Sequence, residues 1–355
     1  MLKSRRQRLR RFFDESDLDL LLIEHQINLR YLSGFSGSEG SLLLSPEGGW
    51  FVCDSRYTVQ ADKEVSGVQV VEQSQRQEGI AELIRQAGVR RIGFEATHTT
   101  VSAHQGMMVR LPEITFVPLG QELDAIRSCK DAQELQLLAD VAALASSALE
   151  TVLPLVRPGM VEADLALELE FAMRRNGSEG AGFDIIVASG VRGAMPHGRA
   201  SNKRIESGDL VTIDFGAVQQ GYHSDETVTV AVGGASQRQQ EIYQVVLDAH
   251  DRAIAAVRPS ITCRELDAVA RDHIREQGFG EYFGHGLGHG VGLAVHEKPV
   301  VSPRSDAVVE EGMVFTIEPG IYIPGFGGVR IEDTVAVTAD GCRLLTTAPK
   351  QLQIL

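Results

Sequence analysis

The sequence has little cysteine, and its few thiols are far apart. Four cysteines occur in 355 residues, namely Cys53, Cys129, Cys263 and Cys342. No two of them form a CxxC pair, so the pattern supports neither a zinc finger nor a disulfide framework. We therefore expect reduced thiols and a cytoplasmic protein.

Positive charge and long apolar runs are also scarce. The formal net charge is −14, and nucleic-acid binding needs a basic face for the phosphates. No apolar run approaches the ~20 residues that a membrane span requires. We therefore expect neither a nucleic-acid partner nor a membrane partner.

The first eleven residues are an exception, because six of them are basic. The apolar run behind them is short and is interrupted by Asp17 and Asp19, which argues against a signal peptide. Acidic residues follow within a turn or two, so the segment predicts a solvated helix face.

The chain is long enough for two domains, each with its own core. Between residues 18 and 120, strand-like and helix-like segments alternate, which is typical of an α/β domain. The predicted strands are 18–24, 39–45, 48–54, 67–73 and 90–96, and the predicted helices are 56–65 and 76–88. We place the domains at 1–124 and 125–355, with a long helix beginning after the capping residue Asp131.

The second domain contains an internal repeat. Three markers recur in the same order: 156–177 with 257–278, 206–217 with 310–321, and 225–230 with 332–337, at offsets of 101, 104 and 107 residues. Because the offset grows only by short insertions, we interpret residues 130–340 as two copies of one unit. Each copy would contain two helices followed by a strand hairpin.

The repeat pairs four acids that stand in or beside strands, where Asp is disfavoured. Asp214 corresponds to Glu318, and Asp225 corresponds to Glu332. A duplicated domain tends to fold about a pseudo-twofold axis, so the four carboxylates would converge. Buried together they cannot all stay ionised alone. Either some are protonated or cations lie among them, and two divalent ions would leave the site near neutral.

Histidines cluster in a segment that is rich in glycine. His285, His289 and His296 lie within 283–299, where alternate glycines let the backbone approach a site closely. A helical HExxH site is excluded because no helix tolerates so much glycine. The glycines and the Asp-Phe-Gly at 214–216 lack the companion motifs of nucleotide sites and kinases. His197 is a fourth candidate, in the irregular AMPHGRASN.

These motifs resemble the pita-bread (creatinase/aminopeptidase P/prolidase) metallopeptidases, and within them the Xaa-Pro peptidases. NLRYLSGFSGSEG (28–40) and VCDSRYTVQA (52–61) are similar to the creatinase-type N-terminal domain. Five motifs resemble the catalytic domain in order: AMPHGRASN, TIDFGAVQQGYHSDET, GHGLGHGVGLAVHE, TIEPGIYIPG and GGVRIEDT. The implied fold class is α+β, a pita-bread domain with a pseudo-twofold repeat behind a creatinase-like α/β domain. The resemblance also implies a homodimer.

The resemblance implies a two-metal site. Asp214 would bind one ion, Asp225 and Glu332 would bridge both, and His289 and Glu318 would bind the second. One imidazole among oxygen ligands favours Mn²⁺ and admits Co²⁺, Fe²⁺ or Zn²⁺. A hydroxide bridging the two ions would attack the carbonyl that precedes proline.

The remaining candidates receive catalytic and binding roles from the same resemblance. Glu318 would also shuttle the proton. His197 and His296 would hydrogen-bond the tetrahedral intermediate or the scissile peptide. His285 would line the proline pocket, and Arg330 would orient the carboxylates from outside the ligand set.

One stretch departs from the family. Where the family commonly has Ser-Asp-x-Thr-Arg-Thr, residues 224–229 here read Ser-Asp-Glu-Thr-Val-Thr. Val228 replaces the arginine, and Glu226 replaces an apolar residue. We expect the missing cation to change metal affinity, pH optimum or substrate preference.

The leading hypothesis is an Xaa-Pro dipeptidase, acting on peptides with proline at the second position. The short catalytic core and GIYIPGFGGVRIEDT favour it slightly over an Xaa-Pro aminopeptidase that acts on longer peptides. The N-terminal domain argues against a methionyl aminopeptidase, and the full ligand set argues against metal-free, creatinase-like chemistry. An inactive pita-bread domain used as a binding module is the alternative of a different class.

Overall fold

The structure, a computed structural model, describes residues 2–355. It contains two compact units, of which the first ends at Arg127 and the second is Ser128–Leu355. This division differs from the sequence-based boundary between residues 124 and 125 by the short 3-10 helix Ala125–Arg127.

The first unit is built on one six-stranded mixed sheet with the order β4-β3-β2-β1-β5-β6. Its strands are β1 (Leu20–Ile23), β2 (Ser41–Leu44), β3 (Gly49–Cys53), β4 (Gln69–Glu72), β5 (Arg91–Glu95) and β6 (Thr115–Leu119). Its helices are α1 (Leu2–Gln7), α2 (Arg10–Ser16), α3 (Gln26–Ser33), α4 (Thr58–Glu64), α5 (Arg76–Ala87), α6 (Val101–Arg110) and α7 (Gln121–Asp124). Sequence analysis did not predict β6, which contains Pro118. The observed β6 is an edge strand, where proline is tolerated.

The expectation of a solvated basic face at the start of the chain is wrong for Arg5 and Arg6. Arg5 is 5% exposed, and its guanidinium carbon lies 4.5 Å from the ring centroid of Tyr31. Arg6 Nε donates to the carbonyl oxygen of Leu32 over 2.9 Å. Leu32 is in the last turn of α3, where carbonyl groups lack helical partners. The arginines therefore bind an aromatic ring and a helix end instead of facing water.

The second unit contains four long helices and several small sheets. The helices are α8 (Ala132–Val152), α9 (Glu162–Arg175), α10 (Gln237–Ala256) and α11 (Cys263–Glu276), with 3-10 helices at Leu153–Leu155, Gly190–Ala194 and Gly280–Tyr282. The strands are β7 (Gly180–Ala181), β8 (Ile186–Ser189), β9 (Leu210–Phe215), β10 (Ala217–Gln219), β11 (Tyr222–His223), β12 (Glu226–Ala231), β13 (Gly288–Gly290), β14 (Glu297–Val301), β15 (Val314–Ile317), β16 (Gly320–Ile323), β17 (Gly327–Arg330), β18 (Asp333–Val337) and β19 (Cys342–Leu344).

The predicted repeat is confirmed. Helices α8 and α9 precede the antiparallel pair β9–β12, and α10 and α11 precede the antiparallel pair β15–β18. The two strand pairs meet where the Glu332 N–H donates to the Thr227 carbonyl over 3.1 Å. The two halves of the repeat therefore touch at Glu332, a predicted metal ligand, and at Thr227, two residues after the predicted ligand Asp225.

Helix α8 begins where the sequence predicts, because the Asp131 carboxylate accepts from the amides of Gln133 and Glu134. Residues Ala132–Leu155 are long and apolar enough to cross a membrane by length and composition. Leu149 and Val152 of this helix belong to the same buried core as Leu165 and Val211. The apolar residues of α8 thus form part of a protein core.

Candidate metal centre

Four acids stand at the ends of the two strand pairs. Asp214 is near the end of β9, and Asp225 immediately precedes β12. Glu318 immediately follows β15, and Glu332 immediately precedes β18. Asp214, Asp225 and Glu332 each offer a ligand atom within 4.8 Å of the others. The structure therefore brings together three predicted ligands from both halves of the repeat.

His289 joins the fourth acid to this cluster. Its Nε2 lies 3.6 Å from Asp225 Oδ2 and 3.4 Å from Glu318 Oε1. Nδ1 lies 3.1 Å from the Gly290 carbonyl oxygen, which only accepts, so Nδ1 carries the proton and Nε2 its lone pair. Burial lowers the pKa of His289 and keeps the ring neutral. A lone pair facing two carboxylates is an arrangement that a shared cation stabilises.

Two glycines make room for His289 on β13. A Cβ on Gly288 would lie 1.9 Å from the carbonyl oxygen of Thr316, and one on Gly290 would lie 2.2 Å from that of Lys298. Both distances are far below van der Waals contact with backbone atoms that cannot move freely. The strands beside β13 can therefore approach this closely only because both positions lack a side chain.

The charge balance of the cluster fits divalent cations. Burial, followed by repulsion from Glu332, Asp214 and Glu318, raises the pKa of Asp225 well above its usual range. Burial and repulsion raise the pKa of Glu332 in the same way. Among residues 2–355, the buried Asp214 Oδ1 has no hydrogen-bond partner. An unsatisfied oxygen among crowded hard donors is suited to a metal ion.

Arg330 contacts one of the acids directly and a second one through the Thr227 hydroxyl. It is 3% exposed, and its Nη2 donates to Asp214 Oδ2 over 2.5 Å. Its Nε donates to the Thr227 hydroxyl over 3.2 Å, and that hydroxyl donates to Glu332 Oε2 over 2.6 Å. One guanidinium thus fixes a carboxylate from each half of the repeat.

Tyr322 links Arg330 to His285, and sequence analysis missed it. Its hydroxyl donates to His285 Nε2 over 2.9 Å and accepts from Arg330 Nη1 over 3.1 Å. Burial raises the pKa of Tyr322 to about 12, so the hydroxyl keeps its proton. The available signal was its place in GIYIPG, on the strand that returns from Glu318 towards Arg330.

A Tyr322→Phe variant tests this link. Loss of the hydroxyl leaves His285 Nε2 and one Arg330 N–H without their partner, while the ring and its packing remain. We expect kcat/KM to fall by roughly 10-fold, which matches the loss of one hydrogen bond to a charged group. Steady-state kinetics and metal analysis check this; unchanged kcat/KM, or lost metal ions, would contradict the assigned role.

The two remaining histidines lie at the edge of the cluster. His296 is exposed as a residue, and its ring centroid lies 4.1 Å from that of His289. Desolvation and the neighbouring imidazole of His289 lower the pKa of His296. His197 is exposed in the loop after Gly190–Ala194. Its loop reaches the acids through the Pro196 carbonyl, which accepts from Arg330 Nη1 over 3.1 Å.

The expectation that Val228 deprives the metal site of a cation is wrong. Side chains alternate between the two faces of a strand. The Thr229 hydroxyl of β12 donates to the Arg330 carbonyl over 2.8 Å, so its face carries the site. Val228 is 2% exposed and packs on the opposite face with Val141 and Ile213. Position 228 therefore points into the core.

Glu226 also faces away from the acids, and Lys350 compensates its charge. Glu226 is fully buried and pairs with Lys350 Nζ. The same Nζ lies 3.2 Å from Asp333 Oδ1. Glu226 and Asp333 are equivalent in the repeat at an offset of 107 residues. His250 Nε2 lies 3.1 Å from the other oxygen of Asp333. A buried ion network thus lies directly behind Asp225 and Glu332.

Comparisons with known proteins cover the whole chain. The family described as metallopeptidase family M24 matches residues 136–339, and the creatinase/prolidase N-terminal domain matches residues 5–129. The Xaa-Pro dipeptidase of Pyrococcus furiosus is 39% identical over 99% of this chain and 100% of its own.

Two solved structures are similar over nearly their full length. The Xaa-Pro dipeptidase from Bacillus anthracis is 43% identical, with a TM-score of 0.98 over 100% of both chains. The X-Pro aminopeptidase from Thermotoga maritima MSB8 is 37% identical, with a TM-score of 0.91 over 96% of this chain and 98% of that one.

Proposed function

The chain belongs to metallopeptidase family M24, and from this premise we propose that it is an Xaa-Pro dipeptidase, which hydrolyses the bond between an N-terminal residue and proline. The observation that carries the proposal is the convergence of Asp214, Asp225 and Glu332 within 4.8 Å, beside His289 and Glu318. The similarity to Xaa-Pro dipeptidases over the full chain supports the choice of substrate.

Five side chains would hold two divalent ions. Asp214 would bind one ion, Asp225 and Glu332 would bridge both, and His289 and Glu318 would bind the other. Four carboxylates and one imidazole form a mostly hard set of donors, which favours Mn²⁺ and also accepts Co²⁺, Fe²⁺ or Zn²⁺. When bound, two such ions lower the pKa of a shared water so that hydroxide is available at neutral pH.

The chain's own residues would position the peptide and move the proton. Glu318 would take the proton released by the nucleophile and return it to the proline nitrogen as the peptide bond breaks. His197 and His296, exposed at the edge of the cluster, would donate hydrogen bonds to the scissile carbonyl oxygen as negative charge develops there. His285, held by the Tyr322 hydroxyl, would form one wall of the proline pocket.

Cleavage of matched peptides tests the proposal. We expect Mn²⁺- or Co²⁺-loaded protein to hydrolyse an Xaa-Pro dipeptide with a kcat/KM about 10-fold or more above that for Xaa-Pro-Yaa-Yaa. The matched Xaa-Ala dipeptide, with the same first residue, is the control and should be a poor substrate. Separation of the products by chromatography measures all three reactions.

The similarity to the Thermotoga maritima X-Pro aminopeptidase favours a second candidate, an Xaa-Pro aminopeptidase acting on longer peptides. Equal or faster hydrolysis of Xaa-Pro-Yaa-Yaa would establish that alternative and reject the dipeptidase. We also propose a cytoplasmic homodimer that binds neither nucleic acid nor membranes, with folding domains at 1–124 and 125–355. Light scattering of the purified protein tests the dimer.

A further inference from the structure

Glu162, the first residue of α9, is fully buried and lies outside the metal cluster. Its carboxylate accepts hydrogen bonds from three residues. The donors are the Ser189 amide (2.8 Å) and hydroxyl (2.7 Å), the Ser201 amide (3.2 Å) and hydroxyl (2.7 Å), and the Arg192 guanidinium. A carboxylate has about four acceptor positions, so these donors occupy the group fully.

The three donors belong to the segment that carries His197. Ser189 is the last residue of β8, Arg192 lies in the 3-10 helix that follows, and Ser201 lies beyond His197. Arg192 also donates to the Arg199 carbonyl over 2.8 Å, across the loop. Residues 190–200 therefore form a loop whose two ends are both fastened to Glu162.

The middle of this loop reaches the metal centre. The Pro196 carbonyl, next to His197, accepts from Arg330 Nη1 over 3.1 Å. Arg330 pairs with Asp214, a predicted metal ligand. The loop is thus fixed at its base by Glu162 and touches the cluster near its tip. A displacement at the base would move His197 relative to the acids.

The second half of the repeat holds its histidine segment in a similar way. Asp267 of α11 is 1% exposed, pairs with Arg271, and accepts from the Leu287 amide over 3.0 Å. Arg271 Nη2 donates to the His285 carbonyl over 2.6 Å.

The two anchors are not inherited copies of one position. At the offset of 101 residues, Glu162 aligns with Cys263 rather than with Asp267. Each half therefore uses a buried acid at a different position of its second helix, paired with Arg192 of the 3-10 helix in the first half and with Arg271 of α11 in the second. Buried acids at two non-equivalent helix positions thus hold both histidine segments in place.

We propose that Glu162 is a positioning residue for the reaction, which holds His197 against the scissile peptide by closing loop 190–200 at its base. The inference rests on the proposed peptidase function. Glu162 contacts neither the metal ligands nor the proline pocket through the bonds that it accepts, so it acts through the loop. Its contribution is therefore to orientation, in which small displacements of a catalytic group are costly.

A Glu162→Gln variant tests the proposal, because it keeps the side-chain volume but turns an NH₂ group towards the donors. We expect kcat for the Xaa-Pro dipeptide to fall by about 10–100-fold, while the bound metal per chain stays at the wild-type value. In a His197→Ala background, Glu162→Gln should lower kcat by less than about 2-fold, because the imidazole that the loop positions is already absent. Amides of residues 190–200 should exchange hydrogen faster than in the wild type.

Two matched variants serve as controls. Glu134, another buried acid in the first turn of a helix, caps α8, and Glu134→Gln should leave kcat within about 2-fold of the wild type. Ser201→Ala removes one hydroxyl donor and leaves the pair of Glu162 with Arg192 intact. It should lower kcat and speed hydrogen exchange in the same way as Glu162→Gln but by less, and it replaces that variant as the test if Glu162→Gln fails to fold.

Two results would overturn the proposal. One is an equal loss of kcat from Glu162→Gln in the wild-type and the His197→Ala backgrounds. The other is an unchanged rate of amide hydrogen exchange in residues 190–200. If the wild type cleaves no Xaa-Pro bond, the proposed function fails separately, and the exchange measurement still decides whether Glu162 holds the loop.

Discussion

An Asp225→Asn protein will lose its bound metal and about 1,000-fold of its turnover, yet its metal-free form will be more stable than the metal-free wild type. The loss of turnover corresponds to several kcal/mol of transition-state stabilisation, the amount that metal ions supply in hydrolysis. The gain in stability arises because Asp225 is 5% exposed and is repelled by Glu332, Asp214 and Glu318. The amide keeps the shape of the side chain and removes that repulsion.

The stability that metal-free Asp225→Asn gains over the metal-free wild type should increase with pH. The pKa of Asp225 is raised in the folded state, so its protonation stabilises the metal-free fold below the unfolded pKa of about 3.9. This stability is lost as the pH rises through the folded pKa. Asparagine does not titrate. At pH 8 we expect the variant's Tm to exceed that of the wild type by roughly 2–4 °C, equivalent to about 1 kcal/mol in a unit of this size.

Chelator-treated samples, scanned for thermal unfolding at pH 5 and pH 8, measure the effect, and elemental analysis counts the ions in untreated samples. Glu226→Gln is the matched control, because it makes the same kind of change one residue along and on the opposite face of β12. It should keep its metal ions. An Asp225→Asn protein with full metal and full turnover would refute the ligand assignment. A wild type that binds no divalent ion and gains no activity from Mn²⁺ or Co²⁺ would instead be a binding module.

A Lys350→Met protein will be destabilised by about 3–5 kcal/mol, the usual cost of leaving a buried charge without its partner. The substitution removes the ammonium shared by Glu226 and Asp333, which are 0% and 3% exposed. Methionine fills the space of the side chain, so the loss measures charge rather than a cavity. We expect the Tm of the unfolding transition to fall by roughly 10 °C.

Two further variants isolate the charge effect. Glu226→Gln added to Lys350→Met should restore part of the lost stability, because one of the two uncompensated carboxylates is gone. Arg275→Met removes an exposed ion pair with Asp272, 64% and 48% exposed, and should cost less than about 1 kcal/mol. A Tm for Lys350→Met that matches the Arg275→Met value would show that the buried network contributes no net stability.

The convergence of Asp214, Asp225 and Glu332 was predictable because the repeat pairs the acids at equivalent positions of its two halves. Asp214 and Glu318, like Asp225 and Glu332, occupy equivalent positions at the ends of strand pairs, and strand geometry fixes where such ends meet. The error over Val228 arose because residue types were compared without regard to which face of β12 each side chain occupies. The alternation of side chains along β12 already places Val228 opposite Thr227 and Thr229.

Other features depend on contacts that no local pattern contains. Lys350 lies far along the sequence from Glu226, and only the packed fold brings the two together. Glu162 looks like an ordinary acid in the first turn of a helix, which the helix dipole alone would explain. Arg5 and Arg6 belong to a basic helix, and charge patterning does not reveal an aromatic ring or the end of another helix beneath them.

The glycines beside His289 are constrained by the fold, whereas His289 itself is constrained by the proposed activity. Gly288 and Gly290 are required for backbone clearance, since a Cβ at either would lie within 2.2 Å of a neighbouring carbonyl oxygen. His289, by contrast, would be required only as the proposed metal ligand. A descendant that lost its chemistry would be free to replace the histidine but would still keep both glycines. In a related sequence, glycines at these two positions therefore indicate the shared fold, and the residue between them indicates whether the ancestral activity is retained.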